Sequence, residues 1–367
     1  MKAAVFRQMG SPMAIEEVEI SKPAAHEVLV RAAAAGICHS DVHYVTGAFK
    51  HPFPVVLGHE CAGVVEAVGS AVTYVKPGDH VISILSPFCG HCDYCLSGNM
   101  AICHTVNREE ARRASSEPTR LTAKGEAVHQ LFNLGSFAEY MLVHENALAK
   151  IDRDMPLDRA ALLGCAVITG MGSVFRTARV EPGSTVAVLG CGGVGLSCIN
   201  GAAIAGAARI IAIDREPAKL ELAKRFGATD GVLAGDTLVK QIKEMTQGGV
   251  QYSFEAIGLK ETVEAAFRML RPTGTATVIG MVPVGVKVEL QAIEFLQEKK
   301  LQGSLMGSNR FRTDFPRYAQ FYLQGRLKLD ELISDRIKLS DVNQGIENLK
   351  TNRASVARQV IVFDGAN

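Results

Sequence analysis

Within six positions of the stretch GICHSDVHYVTG lie Cys38, His39, Ser40, Asp41 and His43. A thiolate and an imidazole are zinc donors, while a hydroxyl, a carboxylate and a second imidazole can pass protons. Two distant pieces offer more of the same chemistry. GHECAGVVEAVG contributes His59 and Glu60, and LLGCAVITG contributes Cys165. Two cysteines and one histidine leave one tetrahedral position open, as a catalytic rather than a structural zinc requires. Taken alone, Cys38 or Cys165 reads as a buried core cysteine; only the combination favours a metal.

A second donor set is compact. FCGHCDYCLSGNMAIC holds Cys89, Cys92, Cys95 and Cys103. Four thiolates so close can wrap one tetrahedral ion, and an all-cysteine shell is a structural zinc site. The alternatives are a reduced cysteine-rich loop or an iron–sulfur cluster, which the spacing resembles only loosely. His91 and His104 stand beside the set as competing donors. Of nine cysteines, Cys61, Cys191 and Cys198 have no place in either set and read as small core residues.

A third constellation binds phosphate. In LGCGGVGL, Gly190, Gly192 and Gly195 satisfy G-x-G-x-x-G between an apolar strand and a helix, with Gly193 and Val194 opening that helix. The glycines allow a tight turn and close backbone approach to a pyrophosphate, and the helix N-terminus adds unpaired N–H groups. Asp214 ends the next strand at about the 20-residue distance expected of a ribose-binding carboxylate. A carboxylate there repels a 2′-phosphate and favours NAD. Arg215 is a counter-signal to that preference, but beside Asp214 it is expected to lie over the adenine.

Two kinds of architecture must position these groups. The first half of the chain is β-rich, with VLVRAAAAG, GVVEAVG and DHVISIL separated by turn signals such as KPGD. From TVAVLG onward, strands and helices alternate through RIIAID, EPAKLELAKRFGA, GVL, LVKQIKEM, QYSFEAIG, KETVEAAFRML and TATVIGM. That alternation implies a doubly wound parallel sheet covered on both faces. VKVELQAIEFLQEKKLQGSL is expected to add strands at the sheet's edge. RFRTDFPRYAQFYLQGRL reads as a helix and RQVIVF as a closing strand. Residues 104–133 are polar and read as a long surface loop with one short helix.

At 367 residues the chain has room for two cores. A net charge of +1 with no basic run gives no footprint for nucleic acid or an anionic membrane. The opening MKAAVFRQMGSPM has no apolar core of signal-peptide length, and no apolar run is long enough to span a bilayer. A cytoplasmic enzyme acting on a small molecule is expected.

Together these motifs resemble the zinc-dependent medium-chain alcohol dehydrogenases over nearly the full length. The signature is GHE-x2-G-x5-G, here Gly58, His59, Glu60, Gly63 and Gly69, followed in order by the four-cysteine lobe, Cys165 and GCGGVG. TRLTAKGEAVHQLFNLGSFAEY is similar to the longer, class III-like branch, whose members are typically dimers. The resemblance implies an α/β chain with a GroES-like β-rich catalytic domain over 1–166 and 310–367, including a structural zinc lobe at 86–104. A Rossmann NAD-binding domain is implied over 167–309.

It also implies roles. Cys38, His59 and Cys165 hold the catalytic zinc, and Glu60 sits behind the metal and ligates it transiently. Asp41 orients the zinc histidine. Ser40 takes the substrate proton, and His43 forms the outer end of the proton path. His39, Thr169, Val194, Lys219 and Arg358 match contacts to the coenzyme's pyrophosphate, ribose and nicotinamide. Ile257, Ile279 and Met281 match loops lining the NAD groove. Two zinc ions per chain, NAD, and a homodimer follow from the same likeness.

The implied reaction is reversible oxidation of a primary or secondary alcohol to an aldehyde or ketone. Leu85 stands where an aromatic residue is common, and Phe49, Phe88 and Met141 are placed near the pocket. A roomy apolar site for medium-chain, aromatic or terpenoid alcohols is expected. Three alternatives compete. One is a thiol-adduct formaldehyde dehydrogenase; Phe49 and Asn107 replace the acid and arginine expected for glutathione, which leaves a mycothiol conjugate. Another is a zinc-free reductase of the same fold, which would lack these ligands. The third is a non-catalytic binding module built on the zinc lobe.

Overall fold

The computed structural model describes residues 1–104, 119–351 and 357–364. The chain forms two compact units. The first comprises Met1–Cys165, Arg310–Gly325 and Leu329–Asn367, and the second Ala166–Asn309 with Arg326–Lys328.

The long strand Glu27–Ile37 organises the first unit. Its sequence is apolar almost throughout, so it suits a position buried on both faces. One edge pairs antiparallel with Glu60–Val68. The other edge is shared end to end, by Tyr140–His144 against residues 27–31 and by Arg358–Val362 against residues 34–37. A second sheet runs through Ala14–Glu17, Lys2–Phe6, Val55–Val56, Glu126–Gln130, Leu121–Ala123 and Glu19–Ile20. Phe6, Val30, Ile37, Leu57, Phe137 and Ile361 belong to one buried cluster between these elements.

Part of the expected long loop is a hairpin. Leu121–Ala123 pairs antiparallel with Glu126–Gln130 across Lys124 and Gly125, both at positive φ. Such a two-residue turn matches the natural twist of paired strands, and Leu121 and Val128 are buried by it. The polar composition of this segment had masked an alternation of period two. Residues 105–118, with Asn107, lie outside the described residues.

The second unit is a six-stranded parallel sheet. Counted along the chain, its strands are Thr185–Leu189, Arg209–Asp214, Asp230–Leu233, Val250–Glu255, Leu270–Val278 and Lys300–Gly303. Their spatial order is 3-2-1-4-5-6, the doubly wound order of dinucleotide-binding sheets. Leu189, Ile211, Ile213, Val250 and Phe267 fill the core.

The expected edge strands are fewer than the sequence pattern suggested. Only Lys300–Gly303 joins the sheet, parallel to Leu270–Val278. VKVEL alternates like a half-buried strand, yet Val286 and Val288 are exposed and Ala292–Gln297 forms a 3-10 turn. Alternation without a covering layer does not make a strand. The helix Phe311–Leu323 and the strand Arg358–Val362 form where their patterns indicate. Among the described residues no single helix is long and apolar enough to cross a membrane.

Candidate active site

Antiparallel register explains how distant donors meet. Gly36 pairs with Glu60, so the end of one strand lies beside the start of the next. Cys38 therefore arrives next to His59 and Glu60. Gly36 has no side chain for a steric reason: a Cβ there would collide with the Glu60 carboxylate. Gly164 is also closely packed; its Cβ would lie 2.9 Å from the Ser83 carbonyl and 3.5 Å from Glu60 Cα. That contact delivers Cys165 to the cluster.

Donor atoms of Cys38, His59, Glu60 and Cys165 all lie within 4.8 Å of one another, and all four residues are buried. The two sulfurs are 3.9 Å apart. A tetrahedral zinc with Zn–S near 2.3 Å would set sulfurs about 3.8 Å apart. Among the described residues, His59 Nε2 and both Glu60 oxygens have no hydrogen-bond partner. Buried polar atoms are normally hydrogen-bonded, so these three atoms converging on two sulfurs fit a metal ion.

Electrostatics points the same way. The hydrogen bond between the thiols holds Cys38 well below its usual range and pushes Cys165 well above. Burial pushes the His59 imidazole down, but the Asp41 carboxylate and Cys38 more than reverse this. Burial raises the Glu60 carboxyl to about 8, against the pull of the Arg358 guanidinium. A divalent cation would displace protons from such a cluster and pair with the charges left behind.

Asp41 is the hub of this region. Its Oδ2 accepts the Cys38 N–H at 3.0 Å, capping the helix His39–Val45. Its Oδ1 accepts from Gly58 N–H and His59 Nδ1, each at 3.2 Å. A carboxylate only accepts, so Nδ1 carries the hydrogen and Nε2 faces the other donors. Gly58 holds φ of +86°, and a Cβ on it would strike the Phe137 ring at 2.5 Å. Ser40 Oγ is 3.7 Å from Cys38 Sγ. His43, one turn along, packs edge-on against Phe49 with ring centroids 5.3 Å apart. His39 is exposed, and Arg358 is buried with a guanidinium nitrogen 3.9 Å from Glu60.

Among the described residues, the second donor set is made by Cys89, Cys92, Cys95 and Cys103. Cys89 and Cys95 sulfurs are 3.8 Å apart, as are those of Cys92 and Cys103. Four sulfurs at tetrahedral spacing complete a zinc shell. His104 instead stacks edge-on against Tyr94. Burial pushes the Cys89 thiol up, but N–H groups of His91 and Cys92 bring it to about 6. Cys95 is raised to about 12, mainly by burial.

In the second unit, the glycine loop joins the first strand to the helix Gly193–Ile204. Gly190 has φ of +93°. A Cβ on Gly195 would run into the Gly190 carbonyl, whereas one on Gly192 would meet nothing within 4 Å. The loop is thus closed on its protein side and open at Gly192, a cradle for a pyrophosphate at a helix N-terminus. Asp214 accepts Cys191 N–H at 2.8 Å and Glu216 N–H at 3.1 Å. Arg215 beside it is exposed, and Val194 and Lys219 are half-buried. Thr169 donates to Met306 Sδ at 3.6 Å. Ile257, Ile279 and Met281 follow the carboxyl ends of the fourth and fifth strands.

Known proteins carry the same organisation. Residues 24–153 match the alcohol dehydrogenase GroES-like domain, and residues 193–324 match the zinc-binding dehydrogenase domain. An alcohol dehydrogenase zinc-binding domain protein from Burkholderia ambifaria is 36% identical, with 99% of this chain and 98% of that chain covered and a TM-score of 0.93. The chain belongs to the zinc-dependent medium-chain alcohol dehydrogenase family. Benzyl alcohol dehydrogenase from Acinetobacter calcoaceticus is 32% identical over 99% of each chain, with a TM-score of 0.91. A zinc-binding dehydrogenase from Sinorhizobium meliloti 1021, solved with NADP bound, is 30% identical over 99% of each chain, with a TM-score of 0.81.

In this zinc-binding dehydrogenase the pocket residues need correction. Met141 is only 1% exposed and lies in the hydrophobic core, because its strand is covered on that face. Phe88 packs against the cysteine lobe and Phe311. Leu85 is half-buried against the core of the first unit. The aromatic side chain beside the metal donors is Phe132, which sequence reasoning missed. Its ring centroid is 5.6 Å from that of His59 and 5.8 Å from that of Tyr44. Phe132 follows the unexpected hairpin at φ of +53°, a turn with no obvious signal in LFNLG.

Proposed function

We propose that this dehydrogenase reversibly oxidises an apolar primary or secondary alcohol to an aldehyde or ketone, using NAD and a zinc held by Cys38, His59 and Cys165. The observation that carries this reading is the buried convergence of those three donors with Glu60. A second zinc in the four-cysteine lobe would be structural. When bound, zinc supplies Lewis acidity toward the alcohol oxygen and NAD accepts the hydride.

The chain's own residues do the rest. Ser40, beside Cys38, accepts the alcohol proton, and His43 on the same helix passes it to solvent. Asp41 keeps His59 in the ligating tautomer. Phe132, Phe49 and Tyr44 supply aromatic surface in the catalytic unit. With the similarity to benzyl alcohol dehydrogenase, that surface supports aromatic alcohols within the apolar class. Asp214, at the end of the second strand, supports NAD over NADP, with Arg215 over the adenine and Lys219, Val194, Thr169, His39 and Arg358 as further coenzyme contacts.

The assembly we favour is a homodimer. Lys300–Gly303 ends the sheet, and Val284, Ile293, Leu296 and Leu305, from the same stretch of chain, are exposed. A second copy would cover that apolar surface and edge. The nine cysteines form no disulfide among the described residues, which suits the reducing cytoplasm.

Reduced-coenzyme absorbance with a panel of alcohols, before and after chelation, tests the reaction. Activity with NADP exceeding that with NAD would overturn the reading of Asp214. Ser40→Ala should cost about 10²- to 10⁴-fold in turnover. His43→Gln should cost less and be restored in part by imidazole buffers; an unchanged pH profile would remove His43 from the path.

A further inference from the structure

Glu255 closes the strand Val250–Glu255 and is completely buried. A carboxylate enters a protein interior only with partners, because desolvating it costs several kcal/mol. Its partners here belong to the segment that follows the strand. Oε1 accepts the backbone N–H of Ile257 at 2.9 Å, that of Gly258 at 2.7 Å, and the Thr262 hydroxyl at 2.8 Å. The Glu255 carbonyl accepts Ile279 N–H at 2.9 Å and Gly280 N–H at 3.0 Å. One residue thus ties the segment after the fourth strand to the segment after the fifth.

These two segments touch backbone to backbone. Gly258 has φ of +91°, and a Cβ on it would lie 2.7 Å from the Met281 carbonyl oxygen. A Cβ on Gly280 would lie 2.6 Å from Glu255 Oε2. That second oxygen has no hydrogen-bond partner among the described residues. Above this seam, Ile257 and Met281 are about half exposed, at 46% and 52%. Large apolar side chains facing solvent at the carboxyl ends of an open parallel sheet mark the place where such sheets bind ligands.

We propose that Glu255 is a positioning residue for the dinucleotide coenzyme. Its charge-assisted hydrogen bonds set the spacing between the two segments, and so the groove wall formed by Ile257, Ile279 and Met281. The inference rests on the reading that this unit binds a nicotinamide dinucleotide. An amide at position 255 keeps one carbonyl acceptor but loses the charge, and charged acceptors bind about twice as strongly. It also puts an NH₂ donor where Oε2 has no hydrogen-bond partner among the described residues.

The test measures NADH and NADPH binding by fluorescence in full-length zinc-loaded protein, with KM, kcat and Tm alongside. Glu255→Gln should weaken binding of the preferred coenzyme and raise its KM by about three- to tenfold, the size of one such hydrogen bond. The KM for alcohol should stay within about twofold. Thr262→Val, which removes one donor from the half-buried rim, should show a smaller loss of the same kind, and Thr262→Ser should restore it. If Glu255→Gln does not fold, the Thr262 pair decides. Variants that bind coenzyme as tightly as wild type, whatever their Tm, overturn the inference alone. A wild type that binds neither nucleotide overturns the coenzyme reading and this inference with it.

Discussion

Two groups of four donors in this chain have the same size and opposite origins. Cys89, Cys92, Cys95 and Cys103 fall within one short segment and remain partly open to solvent apart from Cys103. Cys38, His59, Glu60 and Cys165 come from three separate parts of the chain and are buried. The local set needs little from the rest of the fold and can hold its own segment together once a metal binds. The dispersed set exists only after strands have paired in register, with Gly36 opposite Glu60. A local set suits structure and a dispersed one suits chemistry, because the fold can leave one coordination position unfilled and shape what surrounds it.

The largest expected effect comes from breaking the dispersed set. Cys165→Ser should lower turnover by about 10³-fold or more, since a catalytic metal supplies several kcal/mol of transition-state stabilisation. Metal analysis should fall from two zinc ions to one while Tm changes little. A variant with two zinc ions and wild-type turnover would show that Cys165 is an ordinary core cysteine.

Breaking the local set should give the reverse pattern. Cys92→Ser removes a shell member whose binding energy is folding energy. A deficit of a few kcal/mol is expected, with Tm falling by about 2–4 °C for each kcal/mol. Turnover per folded molecule should fall less than in Cys165→Ser. Equal activity losses in both variants would erase the contrast between the sets.

Asp41→Asn sharpens the comparison, because only the dispersed set has such a hub. The amide keeps one accepting oxygen and gains a donor, so it cannot accept on both sides. A loss of about 10- to 100-fold in zinc affinity or turnover is expected, the usual cost of removing a ligand's supporting partner. Zinc titration of metal-depleted protein reads it directly.

An ordinary ion pair sets the baseline. Arg209 bonds Asp230 through two nitrogens, at 2.9 and 2.7 Å. The guanidinium hydrogen bond, against the push of burial, holds the Asp230 carboxyl below its usual range. A lowered folded pKa means stabilisation that is present above the unfolded value, about 3.9, and lost as pH falls through the folded one. Asp230→Asn should therefore cost about 0.2–1 kcal/mol at neutral pH. Denaturation curves of the two proteins should converge below about pH 4; a constant gap down to pH 2 would mean that the charge is not what stabilises.

How far each region was legible follows from how local its signal is. GCGGVG was readable because a strand, a tight turn and a helix must follow one another within a few residues. The doubly wound sheet was readable from the alternation of apolar strands with amphipathic helices. The hairpin at 121–130 was hidden by its polar composition, although Lys124 and Gly125 sit at the turn. VKVEL misled in the other direction, because alternation records only which residues could face a core. Phe132 was missed and Met141 misplaced for one reason. Which side chain lies beside His59 depends on a turn at positive φ and on strand covering, neither of which leaves a periodic trace.

By itself the sequence determined the donor types, the compact cysteine lobe, the glycine-rich turn and the two kinds of architecture, because these depend on neighbours within a turn or a strand. Only the tertiary structure decided that Asp41 serves Cys38, Gly58 and His59 at once, that Arg358 lies buried against Glu60, and that Glu255 joins two loops. Those contacts cross between strands and loops, and register with close glycine packing selects which residues meet.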